Sequence, residues 1–142
     1  MIRYFHEDTD FSLPQKALTK RWLKEVAVRE GRRIGNINII FCSDAYLLNI
    51  NRQYLSHDYY TDIITFDDCE GSTLNGDLFI SIDSVRENAK EYADGRFKEE
   101  LDRVMVHGIL HLIGYDDHTE EEQKMMREKE NEALALIAEL EK

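Results

Sequence analysis

Apolar and polar positions change period several times along the chain, and each change predicts an element. Ile2, Tyr4 and Phe5 among polar neighbours predict a short opening strand. Ser12 followed by Pro14 marks a helix start. Leu18, Trp22 and Val26 recur every fourth residue and give residues 14–30 a helical apolar stripe, which Gly31 ends. Residues 36–42 place Ile37, Ile39 and Phe41 on one side and Asn38, Ile40 and Cys42 on the other, the pattern of a strand buried on both faces. A helix from Ser43 buries Leu47, Ile50 and Tyr54. Residues 56–61 are polar and aromatic and read as a loop, and residues 62–66 are β-branched enough for a strand. Residues 67–76 hold two glycines, a serine and an asparagine and predict a turn. Leu78, Ile80 and Ile82 mark a further strand, and residues 85–94 and 97–113 read as helices separated by Gly95. Thr119 with Glu122 fits a capping box opening a last helix whose Ala133, Ile137 and Leu140 face inward.

The resulting order is strand, helix, strand, helix, strand, strand, helix, helix, helix. It predicts an α+β class, a small mixed four-stranded sheet covered by about five helices. With 142 residues, 42% hydrophobic and 33% charged, the chain suits one core, so residues 1–142 are expected to form a single domain. No apolar run approaches the roughly 20 residues that span a bilayer. The first ten residues carry Arg3, His6, Glu7, Asp8 and Asp10 in place of an apolar signal core. A cytoplasmic protein with no membrane partner is expected, with Cys42 and Cys69 reduced.

A formal charge of −11 repels polyanions as a whole. The excess acid is concentrated in residues 119–142, which read as a solvated helix face. Arg32, Arg33, Arg52, Arg86, Arg96 and Lys98 remain as candidates for a local basic groove.

The chemistry lies near the end of the 97–113 helix. Its Leu101, Val104, Met105 and Ile109 form an apolar face, and His107 and His111 stand four residues apart. That spacing puts two imidazoles on one side of a helix, within reach of one cation. Gly114 ends the helix in a left-handed turn and returns Tyr115, Asp116, Asp117 and His118 toward the histidines, so a third ligand comes from Asp117 or His118. Two ligands from a helix and one from the following turn is the mechanics of a zinc site. Three protein ligands leave a tetrahedral zinc one open position, the mark of a catalytic site, where the pKa of bound water falls to about 7. Gly108 occupies the place where His-Glu-x-x-His peptidases carry their general base, which lowers the expectation of peptidase chemistry. A mid-helix glycine costs about 1 kcal/mol relative to alanine, so something packs or binds closely there.

The segment His107-Gly108-Ile109-Leu110-His111-Leu112-Ile113-Gly114-Tyr115-Asp116 resembles the signature of the YbeY family, the rRNA maturation endoribonucleases. Asn51, Tyr54, Asp58, residues 61–66 and residues 76–81 are similar to that family's two other blocks. The resemblance implies a metal-dependent endoribonuclease, specific for single-stranded RNA, acting in ribosomal RNA processing and ribosome quality control. Its implied partners are single-stranded or ribosomal RNA and the small ribosomal subunit, and its cofactor is one Zn²⁺ held by three histidines. His107 and His111 match directly. The family's third histidine falls where this chain has Asp117, with His118 one place later. A carboxylate is a competent zinc ligand, so Asp117 needs no change of backbone, whereas His118 needs the loop to absorb a residue.

The family commonly has an arginine where this chain has Leu55, and Arg52, Tyr54 and His57 are the substrate-binding candidates in its place. Tyr54, Tyr59 and Tyr60 offer faces on which unpaired bases stack. Asp58, Thr61 and Asp62 suit turns and caps, and Asp62 could also orient a ligand histidine. Two other classes remain open: a zinc metallohydrolase of a peptide or small ester, which suits the acidic surface better, and a non-enzymatic metal-binding ribosome assembly factor. The pattern leaves the oligomeric state open.

Overall fold

The computed structural model describes residues 1–57 and 60–142. In chain order the elements are β1 (Ile2–Glu7), α1 (Lys16–Arg29), β2 (Arg33–Cys42), α2 (Asp44–Leu55), β3 (Ile63–Asp67), β4 (Thr73–Ser81), α3 (Ile82–Tyr92), α4 (Phe97–Ile113) and α5 (Glu120–Leu140). Every predicted element is present, in the predicted order, as an α+β arrangement with a mixed four-stranded sheet.

The strand order is β1-β2-β4-β3. β1 and β4 both run parallel to β2, and β3 pairs antiparallel with β4, Ile63 opposite Ile80 and Asp67 opposite Gly76. β2 and β4 are therefore central; Ile37, Ile39 and Phe41 of β2 and Leu74, Leu78 and Ile80 of β4 make one face apolar, while the other mixes Ile40, Cys42 and Phe79 with Asn38 and Asp77, whose side chains hydrogen-bond at 2.9 Å. One face carries the main core, in which Ile37, Ile39, Leu78 and Ile80 meet Trp22 and Leu23 of α1, Val85 of α3, Met105 and Ile109 of α4, and Met126 and Ile137 of α5. The other face packs Leu47 of α2 with Cys42 and Ile64, flanked by Phe66 and Phe79.

Local expectations differ from the structure in four places. Ser12 does not cap α1, which starts at Lys16 behind a left-handed Gln15 whose side chain makes no cap bond; the Thr19 hydroxyl instead donates to the Gln15 carbonyl at 3.1 Å. β2 and β4 begin earlier than expected, at Arg33 and Thr73, because Arg33 and Ile34 find partners in Thr73 and Leu74 ahead of a register shift. The turn expected within 67–76 is present, closed by the Thr73 amide on the Glu70 carbonyl at 3.0 Å, but β3 and β4 take the two ends of the segment, and Gly76 marks a close approach of neighbouring backbone. The third difference is Ile82, which is the first residue of α3 rather than the end of a strand, since the Ser81 hydroxyl accepts from the Ser84 amide as its N-cap. Lastly, Tyr54 is 65% exposed, not buried.

α4 lies unusually close to the sheet. A Cβ on Gly108 would stand 2.9 Å from Ile63 Cδ1 and from Leu78 Cδ1, so the glycine sits at a tight contact between helix and sheet. At Gly76 a Cβ would stand 2.3 Å from the Phe66 carbonyl oxygen, a backbone atom of the paired strand. Gly76→Ala should therefore lower stability by about 2–3 kcal/mol, read as a drop in denaturant midpoint at unchanged slope. Gly108→Ala should cost less, because only side-chain ends must yield and alanine recovers about 1 kcal/mol of helix propensity.

Candidate metal centre

The apolar face of α4 is buried from Leu101 to Ile113, and that burial sets the rotation of the helix. His107 and His111, one turn apart, fall at the border of this face and are half-buried. α4 stops at Gly114, and the Tyr115 amide bonds back to the Leu110 carbonyl at 3.0 Å. The Tyr115 hydroxyl donates to Glu30, after α1, at 2.8 Å. Downstream, Thr119 and Glu122 form the capping box of α5, and Gln123 Nε2 donates to the Asp117 carbonyl at 3.1 Å. The loop is thus held at both ends with the Asp117 carboxylate turned onto the histidines.

Asp117 Oδ2 lies 3.4 Å from His107 Nε2 and 3.5 Å from His111 Nε2, and the two Nε2 atoms are 3.0 Å apart. Two donors about 2.0–2.1 Å from a tetrahedral zinc lie roughly 3.3 Å from each other. The three edges fit such an ion, and two imidazoles with a carboxylate form a donor set that divalent first-row metals accept. His107, His111 and Asp117 are the group among the described residues that could hold a metal. His118 is exposed and is not one of these three donors.

His107 Nδ1 lies 2.7 Å from Oε2 of Glu130, a buried residue of α5. The other oxygen of that carboxylate, Oε1, accepts from Arg103 Nη1 at 2.9 Å. Burial works against the charged form of His107, but the hydrogen bond to Glu130 and the charges of Glu130, Asp117 and Asp62 outweigh it and raise the pKa above the ordinary histidine value. Burial likewise opposes the Glu130 carboxylate, and the hydrogen bonds from His107 and Arg103 overcome it and lower the pKa.

Two cavities open at His107. One, of about 270 Å³, runs between α4 and the start of β3 and is lined by Asp62, Glu100, Arg103, Arg127 and Glu130. The second, of about 520 Å³, follows α5 past Gln123, Lys124 and Arg127. Burial pushes the carboxyl pKa of Asp62 and of Glu100 upward.

Several residues singled out from the sequence lie elsewhere. Arg52 and Tyr54, on the last turns of α2, and His57 just beyond it are exposed, and none of them lines either cavity. Tyr54 meets Phe66 edge-on at 5.9 Å. Asp58 and Tyr59 lie outside the described residues. Asp62 does not orient a ligand imidazole by a hydrogen bond; its Oδ2 accepts from Asn88 at 3.3 Å. The expected basic groove is not formed by its candidates: Arg32 donates to the Ile113 carbonyl, Arg33 to Thr73, Arg96 pairs with Glu99, Lys98 with Asp102, and Arg86 lies over the Phe97 ring.

The residues that sequence reasoning missed are Glu130, Arg103 and Arg127. A signal for the first exists. Met126, Ala133 and Ile137 form a buried stripe, and position 130 is its fourth slot, so a glutamate there is a charge placed on the apolar face.

Residues 3–138 match the family described as Endoribonuclease YbeY. The chain is 52% identical over 138 residues to the Endoribonuclease YbeY of Phocaeicola vulgatus, covering 97% of this chain and 99% of that one. It is 51% identical over 136 residues to that of Cytophaga hutchinsonii, covering 95% and 94%. A Thermotoga maritima protein solved in solution superposes with a TM-score of 0.69 at 30% identity, over 96% of this chain and 89% of that one. By sequence over nearly its whole length and by fold, this chain belongs to the YbeY endoribonuclease family.

Proposed function

We propose that this chain is a zinc-dependent endoribonuclease specific for single-stranded RNA, acting in the cytoplasm in ribosomal RNA maturation and quality control of the small ribosomal subunit. The observation that carries the reading is the convergence of His107, His111 and Asp117 on one point beside two open cavities. Membership of the family supports the substrate class. Among the described residues no helix is long and apolar enough to cross a membrane.

His107, His111 and Asp117 are the ligands in this reading, with Asp117 in the place of the family's third histidine. A zinc ion held there supplies Lewis-acid stabilisation of the charge that grows on a phosphodiester under attack. The chain's own groups do the rest. Arg127, exposed and shared by both cavities, draws the phosphate toward a surface that is otherwise acidic. Glu100 and Asp62, whose burial favours the protonated form, are the groups in the smaller cavity suited to take and return a proton. The flanking strand binds along the sheet edge: β3 carries Ile63 at the His107 cavity and Phe66 at Tyr54. Tyr54 stacks on an unpaired base there, and Arg52 and His57 contact the backbone in place of the arginine replaced by Leu55.

Zinc-loaded protein should cleave unstructured RNA and leave casein intact, and His111→Ala should abolish RNA cleavage together with metal retention. Casein hydrolysis without RNA cleavage would sink the nuclease reading. Asp117→Ala should weaken zinc binding by at least about tenfold in a chelator competition, while His118→Ala leaves it unchanged. Zinc stabilisation should also depend on pH. The folded metal-free chain holds the His107 proton more tightly than the unfolded chain, so that contribution is present below about pH 6.5 and fades as pH rises through the raised value. A ligand imidazole must shed the same proton, so the rise in Tm on adding zinc should grow between about pH 6 and about pH 8.

A further inference from the structure

We infer that Glu130 is the positioning residue of the metal centre: its buried carboxylate orients His107, and because it lies on α5 while His107 lies on α4, it links metal affinity to the seating of α5. The inference rests on the metal-site reading above.

An ionised carboxylate in an apolar stripe persists only when its oxygens are partnered. Glu130 is 4% exposed, between Met126 and Ala133, and both oxygens are engaged. Oε1 accepts from Arg103 Nη1 at 2.9 Å with Arg127 Nη1 at 3.5 Å, and Oε2 accepts from His107 Nδ1–H at 2.7 Å. An ionised carboxylate has no proton to donate, so this bond requires the proton on Nδ1. The Nε2 lone pair is then left facing His111 and Asp117, which is the tautomer a metal ligand needs.

The second half of the inference follows from connectivity. Arg103, on α4, also donates through Nη2 to Asn131 at 3.1 Å, so one guanidinium holds two consecutive residues of α5. Asp117 belongs to the loop that joins the two helices. The third donor and the carboxylate behind the first donor thus reach α4 from the α5 side of that connection. An ion that needs both in place favours the docked helix, and the docked helix favours the ion.

The test uses the full chain with Glu130→Ala, Glu130→Gln and Trp22→Phe. Trp22 Nε1 donates to the Ala133 carbonyl at 2.8 Å, so its loss loosens α5 without touching Glu130. Zinc affinity is measured by chelator competition, and the site by the visible absorption of the cobalt-loaded protein. Glu130→Ala should weaken zinc by about 10–100-fold and alter the cobalt band. Glu130→Gln, whose amide oxygen still accepts from Nδ1–H, should recover part of the loss. Trp22→Phe should lower the Tm, weaken zinc by less than Glu130→Ala does through the looser α5, and leave the cobalt band of the bound ion unchanged, since the Glu130–His107 contact is intact. Wild-type affinity in folded Glu130→Ala or Glu130→Gln would overturn the inference. So would a loss of zinc in Trp22→Phe equal to that in Glu130→Ala at comparable Tm, since the residue would then be a structural ion pair only. A wild-type chain that binds neither zinc nor cobalt would remove the metal-site reading itself, and this inference with it.

Discussion

The close docking of α4 on β3 and β4 is the contact from which the rest of the molecule takes its geometry. Gly108 lets the helix axis approach until Ile63 and Leu78 fill the space a side chain would occupy. Met105 and Ile109, fully buried, then leave the helix one orientation about its axis. In that orientation His107 and His111 fall at the edge of the buried face, shielded on one side and open on the other. A helix packed one side chain further out would be free to rotate, and the two imidazoles would lose their common target.

The site also reconciles an acidic protein with an anionic substrate class. The net charge of −11 sets a repulsive far field. Close to the histidines the balance is local: Arg103 and Arg127 stand among Asp62, Glu100, Asp117 and Glu130. One carboxylate faces the metal position, one stands behind a ligand, and two carry pKa values raised by burial. Identical side chains thus differ in electrostatic state according to burial and partners, which is what allows one fold to give neighbouring carboxyl groups different chemistry.

Much of this was legible in the chain. The element order follows from apolar period and from Gly, Ser and Thr punctuation, because those signals act over a few residues and need no distant partner. The pair His107 and His111 and the loop reaching Asp117 and His118 follow from the same local geometry. Starts of strands were less legible: β2 and β4 extend to Arg33 and Thr73 only because each supplies the other with a ladder partner, and no period of either segment contains that.

What the sequence determined by itself was therefore the short-range part: which stretches are helix or strand, which face of each is apolar, and that two imidazoles and a returning loop share one neighbourhood. Tertiary structure alone decided which acids matter. Within a run of glutamates read as a solvated face, packing of α5 on α4 buried Glu130 against His107 and Arg103, 23 and 27 residues away in the chain. It likewise put Arg103 and Arg127 at the cavity, while the arginines favoured from the sequence pair elsewhere. The reason is physical: a charge acts over a few ångströms within the fold, and its partner is chosen by which helices touch, a property that no single segment carries.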